Sequence, residues 1–162
     1  MAPAGKPSLK ARAISLLSRR EHSRSELRRK LAAHCDDSAV LEALLDDLQQ
    51  ENWLSQERFA ESLVHRRAPR HGLRRIMHEL RQHELPEATL SELADTLRRT
   101  ELERARAVWH KRFGVAPGDA KEYARQLRYM ATRGFTADSL RQILSEADSQ
   151  LPDDLPLHDE SD

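Results

Sequence analysis

The sequence predicts an all-α protein, an elongated curved array of three tandem three-helix repeats with about nine helices in all. Three observations lead there. Of the 162 residues, 33% are charged and only 4% aromatic, with five glycines; this balance suits helices with charged outer faces and is poor in the β-branched and aromatic residues that strands favour. Apolar residues then recur at a fixed interval: Leu80, Leu85 and Leu90 reappear fifty residues later as Met130, Phe135 and Leu140, and Leu31 precedes Leu80 by 49. Lastly, charge alternates in blocks. Residues 1–34 hold nine Lys/Arg against two Asp/Glu, and 35–63 hold one against eight. The alternation recurs as six against two (64–85), two against five (86–103), eight against two (104–134) and one against eight (135–162), and the blocks cancel. Solvated faces normally mix signs, so blocks in register point to a repeating unit.

The elements follow from start and stop signals. Ser8 caps a first helix near 8–19, and Ser23 with Glu26 opens a second near 23–34. Asp37 starts a third near 37–50. Ser55 caps a fourth near 55–68, which Pro69 stops, and a fifth follows near 72–83. Pro86 suits the first position of a sixth near 86–98. Thr100 with Glu103 reads as the capping box of a seventh near 100–112, closed by Gly114. Asp119 with Glu122 opens an eighth near 119–132, closed by Gly134, and Thr136 caps a ninth near 136–148. The divisions expected are a tail at 1–7, repeats at 8–54, 55–99 and 100–148, and an acidic tail at 149–162; both tails are too polar or proline-rich to pack and are expected to be disordered. A single unit of this size buries little apolar surface, so neighbours must stack.

Several function classes are disfavoured. The apolar runs are too short to cross a bilayer, and "MAPAGKPSLKARAISLLSRR" lacks the apolar segment of a signal peptide. The one cysteine, Cys35, allows no internal disulfide and fits a reducing cytoplasm. His65, His71, His78 and His83 are spaced six, seven and five apart, whereas helical zinc ligands need three or four, so no metal is expected. No phosphate-binding glycine loop or nucleophile motif is present, and Glu42, Asp46 and Asp47 read as a solvated helix face with unshifted acidity, so neither catalysis nor a cofactor is expected. Phe59, Trp109, Tyr123 and Phe135 fall within apolar periods and are assigned to cores; Trp53 is assigned to sealing a junction between units.

Candidate binding residues are basic. Arg24, Arg28 and Arg29 share one helix face. Arg66, Arg67 and Arg70 end one helix, while Arg74 and Arg75 open the next. Arg125, Arg128 and Arg133 occupy the corresponding place in the third repeat. Such rows could neutralise phosphates, with strong salt dependence, or could face the acidic third helix of their own or the adjacent unit, each pair contributing roughly 0–1 kcal/mol. The sequence leaves both open.

Three stretches carry a family resemblance: "RREHSRSELRRKL" (19–31), "WLSQERFAESLVHRRAPRHGLRRIMHEL" (53–80) and "RYMATRGFTADSLRQIL" (128–144). They resemble the signatures of the bacterial RecX family over roughly residues 9–147. The resemblance implies three tandem three-helix repeats and a modulator of the RecA recombinase; the chain is expected to be a cytoplasmic monomer. The resemblance also implies binding to RecA and to the groove of its filament on single-stranded DNA, with inhibition of ATP hydrolysis, strand exchange and co-protease activity, and in some members direct DNA contact. A helical DNA-binding module acting without RecA is the alternative. The chain departs from the family pattern at Gln56–Glu57, where an acidic pair is usual. It has Gly72 as the lone glycine of a turn that often has two, and "QHEL" (82–85) where a glycine is common.

Overall fold

The computed structural model describes residues 7–148, so the expected tails fall outside it, apart from Pro7. Eight helices and no strand occur among the described residues: α1 (Leu9–Leu17), α2 (Arg24–Ala32), α3 (Ser38–Gln50), α4 (Gln56–Arg67), α5 (Leu73–Arg81), α6 (Glu87–Arg112), α7 (Ala120–Thr132) and α8 (Ala137–Asp148). The caps sit where the sequence places them. Ser8, Ser23, Asp37, Ser55 and Asp119 each accept a main-chain N–H from the first turn of their helix. Thr136 Oγ1 does the same for Ser139, at 3.3 Å.

The ninth helix is the main correction. Residues 86–98 and 100–112 are not two helices but one, α6, of 26 residues. Thr100 lies inside it, its hydroxyl donating to the Leu97 carbonyl. The reason is propensity: nothing between Pro86 and Gly114 breaks a helix, and a Thr-x-x-Glu pattern caps only where the preceding residue leaves helical geometry.

The chain divides into two compact units, Met1–Ala68 with Ile76–Thr96, and Pro69–Arg75 with Leu97–Asp162. In the first, Ala13, Leu27, Leu31, Leu41, Leu45, Leu48 and Leu54 form a buried cluster. In the second, Ala105, Trp109, Met130, Phe135, Leu140, Ile143 and Leu144 do so, with the Trp109 indole N–H donating to Gln126 at 2.8 Å. Phe59 is buried as expected and Tyr123 packs against the second cluster. Trp53 is not a seal: it is 44% exposed, and the neighbouring Leu54 fills the core position instead. Asn52, with φ 64°, turns the chain sharply there and sends the indole outward.

Why Pro69–Arg75 belongs to the second unit is visible in its backbone. The Gly72 N–H donates to the Arg133 carbonyl at 2.8 Å, and the Arg74 N–H to the Gly134 carbonyl at 3.2 Å. A Cβ on Gly72 would lie 2.3 Å from the Gly134 oxygen, so glycine is required for this approach. Gly134, at φ 86°, also has Arg75 within 2.6 Å of where its Cβ would stand.

Candidate polyanion-binding grooves

The candidate arginines separate into two groups once their partners are seen. Arg24 pairs with Glu42 and Asp46, both at 2.7 Å, and Arg28 spans Glu42 and Glu84 at 2.5 and 3.1 Å. Arg67 pairs with Glu79 and Arg125 with Glu122, both at 2.8 Å. Arg75 donates to the Thr132 carbonyl. These contacts use the arginines within their own compact unit. Arg29, Arg66, Arg70, Arg74 and Arg128 are exposed. Among the described residues no carboxylate forms an ion pair with any of these five.

Glu42 corrects one expectation. Hydrogen bonds from Arg28 and then Arg24 pull its carboxyl down to about 2 from the ordinary 4.5, so this acidic face is not one of unperturbed carboxylates. The shift reflects ion pairing in the fold and carries no proton-transfer role.

Two grooves stand out because no carboxylate lines them. The first, of about 440 Å³, runs between α1 and α2, with Arg12, Arg19, Lys30 and His34 over a floor that includes Leu16 and Leu31. The second, of about 370 Å³, lies in the other unit, where Arg70, Lys111, Arg112 and Arg133 surround Val108 and Tyr129. Arg133 is fixed by the Tyr129 ring, 4.6 Å from its centroid, and donates to the Arg70 carbonyl at 3.5 Å. Arg112 stands 5.5 Å from the same ring. Rings and carbonyls hold a guanidinium in place without cancelling its charge. By contrast, the groove lined by Arg20, Arg66 and Arg67 also contains Glu26 and Glu79, and Arg125 and Arg128 line one with Asp119 and Glu122.

Arg70 and Arg133 are thus the sequence candidates that the structure brings together in an acid-free groove. Arg12, Arg19, Lys30, Lys111, Arg112 and Tyr129 were missed. Arg12, Lys111 and Arg112 lie on helices outside the repeated middle-helix position and Arg19 just after α1, so no period marks them, whereas Lys30 and Tyr129 lie on middle helices beside the arginines that were singled out. No described helix is long and apolar enough to cross a membrane.

Fold and surface together define a class: a helical protein of three-helix repeats that carries acid-free basic grooves. The sequence matches the first, second and third three-helix domains of RecX at residues 10–48, 55–92 and 100–144. It is 55% identical over 146 residues to the regulatory protein RecX of Ralstonia pickettii, covering 90% of this chain and 92% of that one. It is 52% identical to that of Leptothrix cholodnii, covering 88% and 91%, and 38% identical to that of Neisseria gonorrhoeae, covering 86% and 91%. The crystal structure of RecX from Lactobacillus salivarius shares the fold, with a TM-score of 0.72 and 17% identity over 87% of this chain and 95% of that one. The chain belongs to the RecX family, whose members are named regulatory proteins.

Proposed function

We propose that the chain is a negative modulator of the RecA recombinase. On this reading it acts in the cytoplasm as a monomer, binding RecA and the groove of its filament on single-stranded DNA and inhibiting ATP hydrolysis, strand exchange and co-protease activity. The observation that carries the reading is the match to all three RecX domains in order along the chain. The charge distribution supports it: exposed cations on both compact units offer several weak contacts within one chain. Linked contacts bind at high effective concentration, so no single strong patch is needed. Arg29, Arg66, Arg70, Arg74, Arg128 and Arg133 are the sequence candidates best placed for this, whereas Arg24, Arg28 and Arg67 are engaged with their own carboxylates.

The test is a titration of the protein, from substoichiometric ratios upward, into RecA hydrolysing ATP on single-stranded DNA. The expected result is a falling hydrolysis rate well below one molecule per RecA protomer. An unchanged rate at every ratio overturns the assignment.

A further inference from the structure

We infer that the acidic segment 149–162 of this chain docks in the basic groove of its own second unit, from which an acidic partner surface must displace it. The inference rests on the regulatory reading only for the identity of that partner. The groove sets the requirement. Arg70, Lys111, Arg112 and Arg133 stand around an apolar patch of Val108 and Tyr129 in about 370 Å³, with no carboxylate in the wall. The guanidinium carbon of Arg133 lies 4.6 Å from the centroid of the Tyr129 ring and that of Arg112 lies 5.5 Å from it. The ring fixes both groups without cancelling either charge. In the same unit Arg106, Arg125 and Arg141 are by contrast paired with carboxylates. Like charges gathered around one cleft repel one another until an acid enters.

The chain carries that acid itself. "SQLPDDLPLHDESD" (149–162) holds five Asp/Glu and no Lys/Arg. Residues 1–148 therefore hold 27 Lys/Arg against 22 Asp/Glu, and the segment alone brings the chain to neutrality. Its order matches the groove: Asp153 and Asp154 come first, then Leu155 and Leu157, then Asp159, Glu160 and Asp162. Acids thus flank an apolar pair, as the groove's cations flank Val108 and Tyr129. Reach is set by α8, which belongs to the same compact unit. Glu146 in the last turn of α8 pairs with Arg106 of α6 at 2.7 Å, so the segment leaves beside the helix that gives Ala107, Lys111 and Arg112 to the groove. From the Arg106 side to the groove side is at most half the girth of α6, about 16–19 Å for a helix about 10–12 Å across. Residues 149–154 cover that distance when extended at about 3.1 Å each, which brings Leu155 to the groove. Pro152 and Pro156 lower the ordering cost of an extended segment. Tethering holds the acids near the groove at an effective concentration on the order of millimolar, so weak pairing suffices. The groove between α1 and α2 belongs to the other compact unit and takes no wall from α6.

The test attaches a spin label to Ser161→Cys in the full chain, with Cys35→Ser removing the native thiol, and reads the broadening of main-chain amide signals by NMR. The amides of Ala107, Lys111, Tyr129 and Arg133 are expected to broaden while those of Ala11, Ser15 and Lys30 stay sharp. Raised salt or Lys111→Glu/Arg112→Glu should abolish the effect. A second comparison needs no cysteine change. The parent and a full-length variant carrying Asp153→Asn, Asp154→Asn, Asp159→Asn, Glu160→Gln and Asp162→Asn should differ in chemical shift at those same second-unit amides. Neither broadening nor a shift difference in the second unit would overturn the inference. Effects centred on the groove between α1 and α2 would do so too, as would broadening that passes only between molecules when spin-labelled and isotope-labelled chains are mixed. The RecA ATPase titration reads displacement. A segment seated about nine-tenths of the time leaves a tenth of the grooves open, so neutralising its acids should raise inhibitory potency by about tenfold. Unchanged potency with docking intact overturns the role of displacement. Absent inhibition by parent and variant alike removes the regulatory reading, and the NMR readings then decide docking by themselves.

Discussion

Glu84 holds φ at 55°, in the left-handed region where a Cβ is crowded. The matching turn of the next repeat has Gly134 at φ 86°. The backbone therefore keeps the turn without the residue that makes it easy, and the Glu84 carboxylate gains Arg28 at 3.1 Å. Glu84→Ile, which adds branching at the strained Cβ and removes the pair, is expected to destabilise by about 1–2 kcal/mol in urea unfolding, while Glu84→Gly stays within about 1 kcal/mol of the parent. Glu42 gives a pH-dependent counterpart. Its folded pKa of about 2 lies below the ordinary 4.5, so its contribution is present above pH 4.5 and is lost as pH falls from there towards 2. The side chain is 41% exposed, so solvent and salt screen the effect. Glu42→Gln should flatten the stability-versus-pH curve over that acid range, most visibly at low ionic strength; an unaltered slope there would show that the pairs with Arg24 and Arg28 add nothing to folding.

At the scale of elements, one joint occurs twice. Gln56, at the start of α4, accepts the Arg24 N–H at 3.0 Å and donates to the Glu84 carbonyl at 3.4 Å. Glu101, one repeat later, accepts the Thr136 N–H at 3.1 Å and a second main-chain N–H from Leu73. In each case a side chain of a repeat's first helix ties the start of the preceding repeat's middle helix to the turn before its own third helix or third-helix equivalent. Glu101 is 6% exposed, and burial raises its pKa despite those bonds and nearby Arg104. Glu101→Ala should cost about 2–4 kcal/mol, since it strands two main-chain donors beside the half-buried Arg104 guanidinium, and Glu101→Gln appreciably less, measured by urea unfolding. The pH sign is opposite to that of Glu42: with the folded pKa above 4.5, the contribution of Glu101 falls as pH rises through the interval between the two values. The departure at Gln56 now has a physical content, because the position needs one acceptor and one donor, which an amide supplies and a carboxylate does not.

Individual helices were largely legible in the sequence because caps and breakers act locally: Ser8, Ser23, Asp37, Ser55 and Asp119 each needed only the next turn to do their work. The failure at Thr100 is of the same kind, a local pattern overruled by helix formers on both sides. The joints were not legible. Gln56 and Glu101 lie 45 residues apart rather than 50, and neither resembles the other until its partners are seen.

Across the whole molecule, charge alternation had two readings, and the pairs divide them. Part of the alternation is internal: Arg24 and Arg28 on a basic second helix meet Glu42 and Asp46 on the acidic third helix of the same repeat. Of the remainder, Arg19 with Lys30 and Lys111 with Arg112 line grooves that hold no acid, while Arg29, Arg66, Arg74 and Arg128 stand exposed outside them. Raising salt should therefore weaken binding to the proposed RecA filament far more than it weakens the fold, because exposed pairs contribute little to stability whereas linked charged contacts are each screened; filament binding and urea unfolding across a salt series measure the two.

By itself the sequence determined the all-helical class, the period near fifty residues and the apolar ladders of Leu80–Leu85–Leu90 and Met130–Phe135–Leu140, all of which are buried. These are properties of spacing, and spacing is written in one dimension. Only the tertiary structure decided which arginines are neutralised, that Gly72 meets Gly134, and that Arg70, Lys111, Arg112 and Arg133 share a groove. A charge is free or spent according to what lies within a few ångströms of it, and those neighbours come from segments tens of residues away.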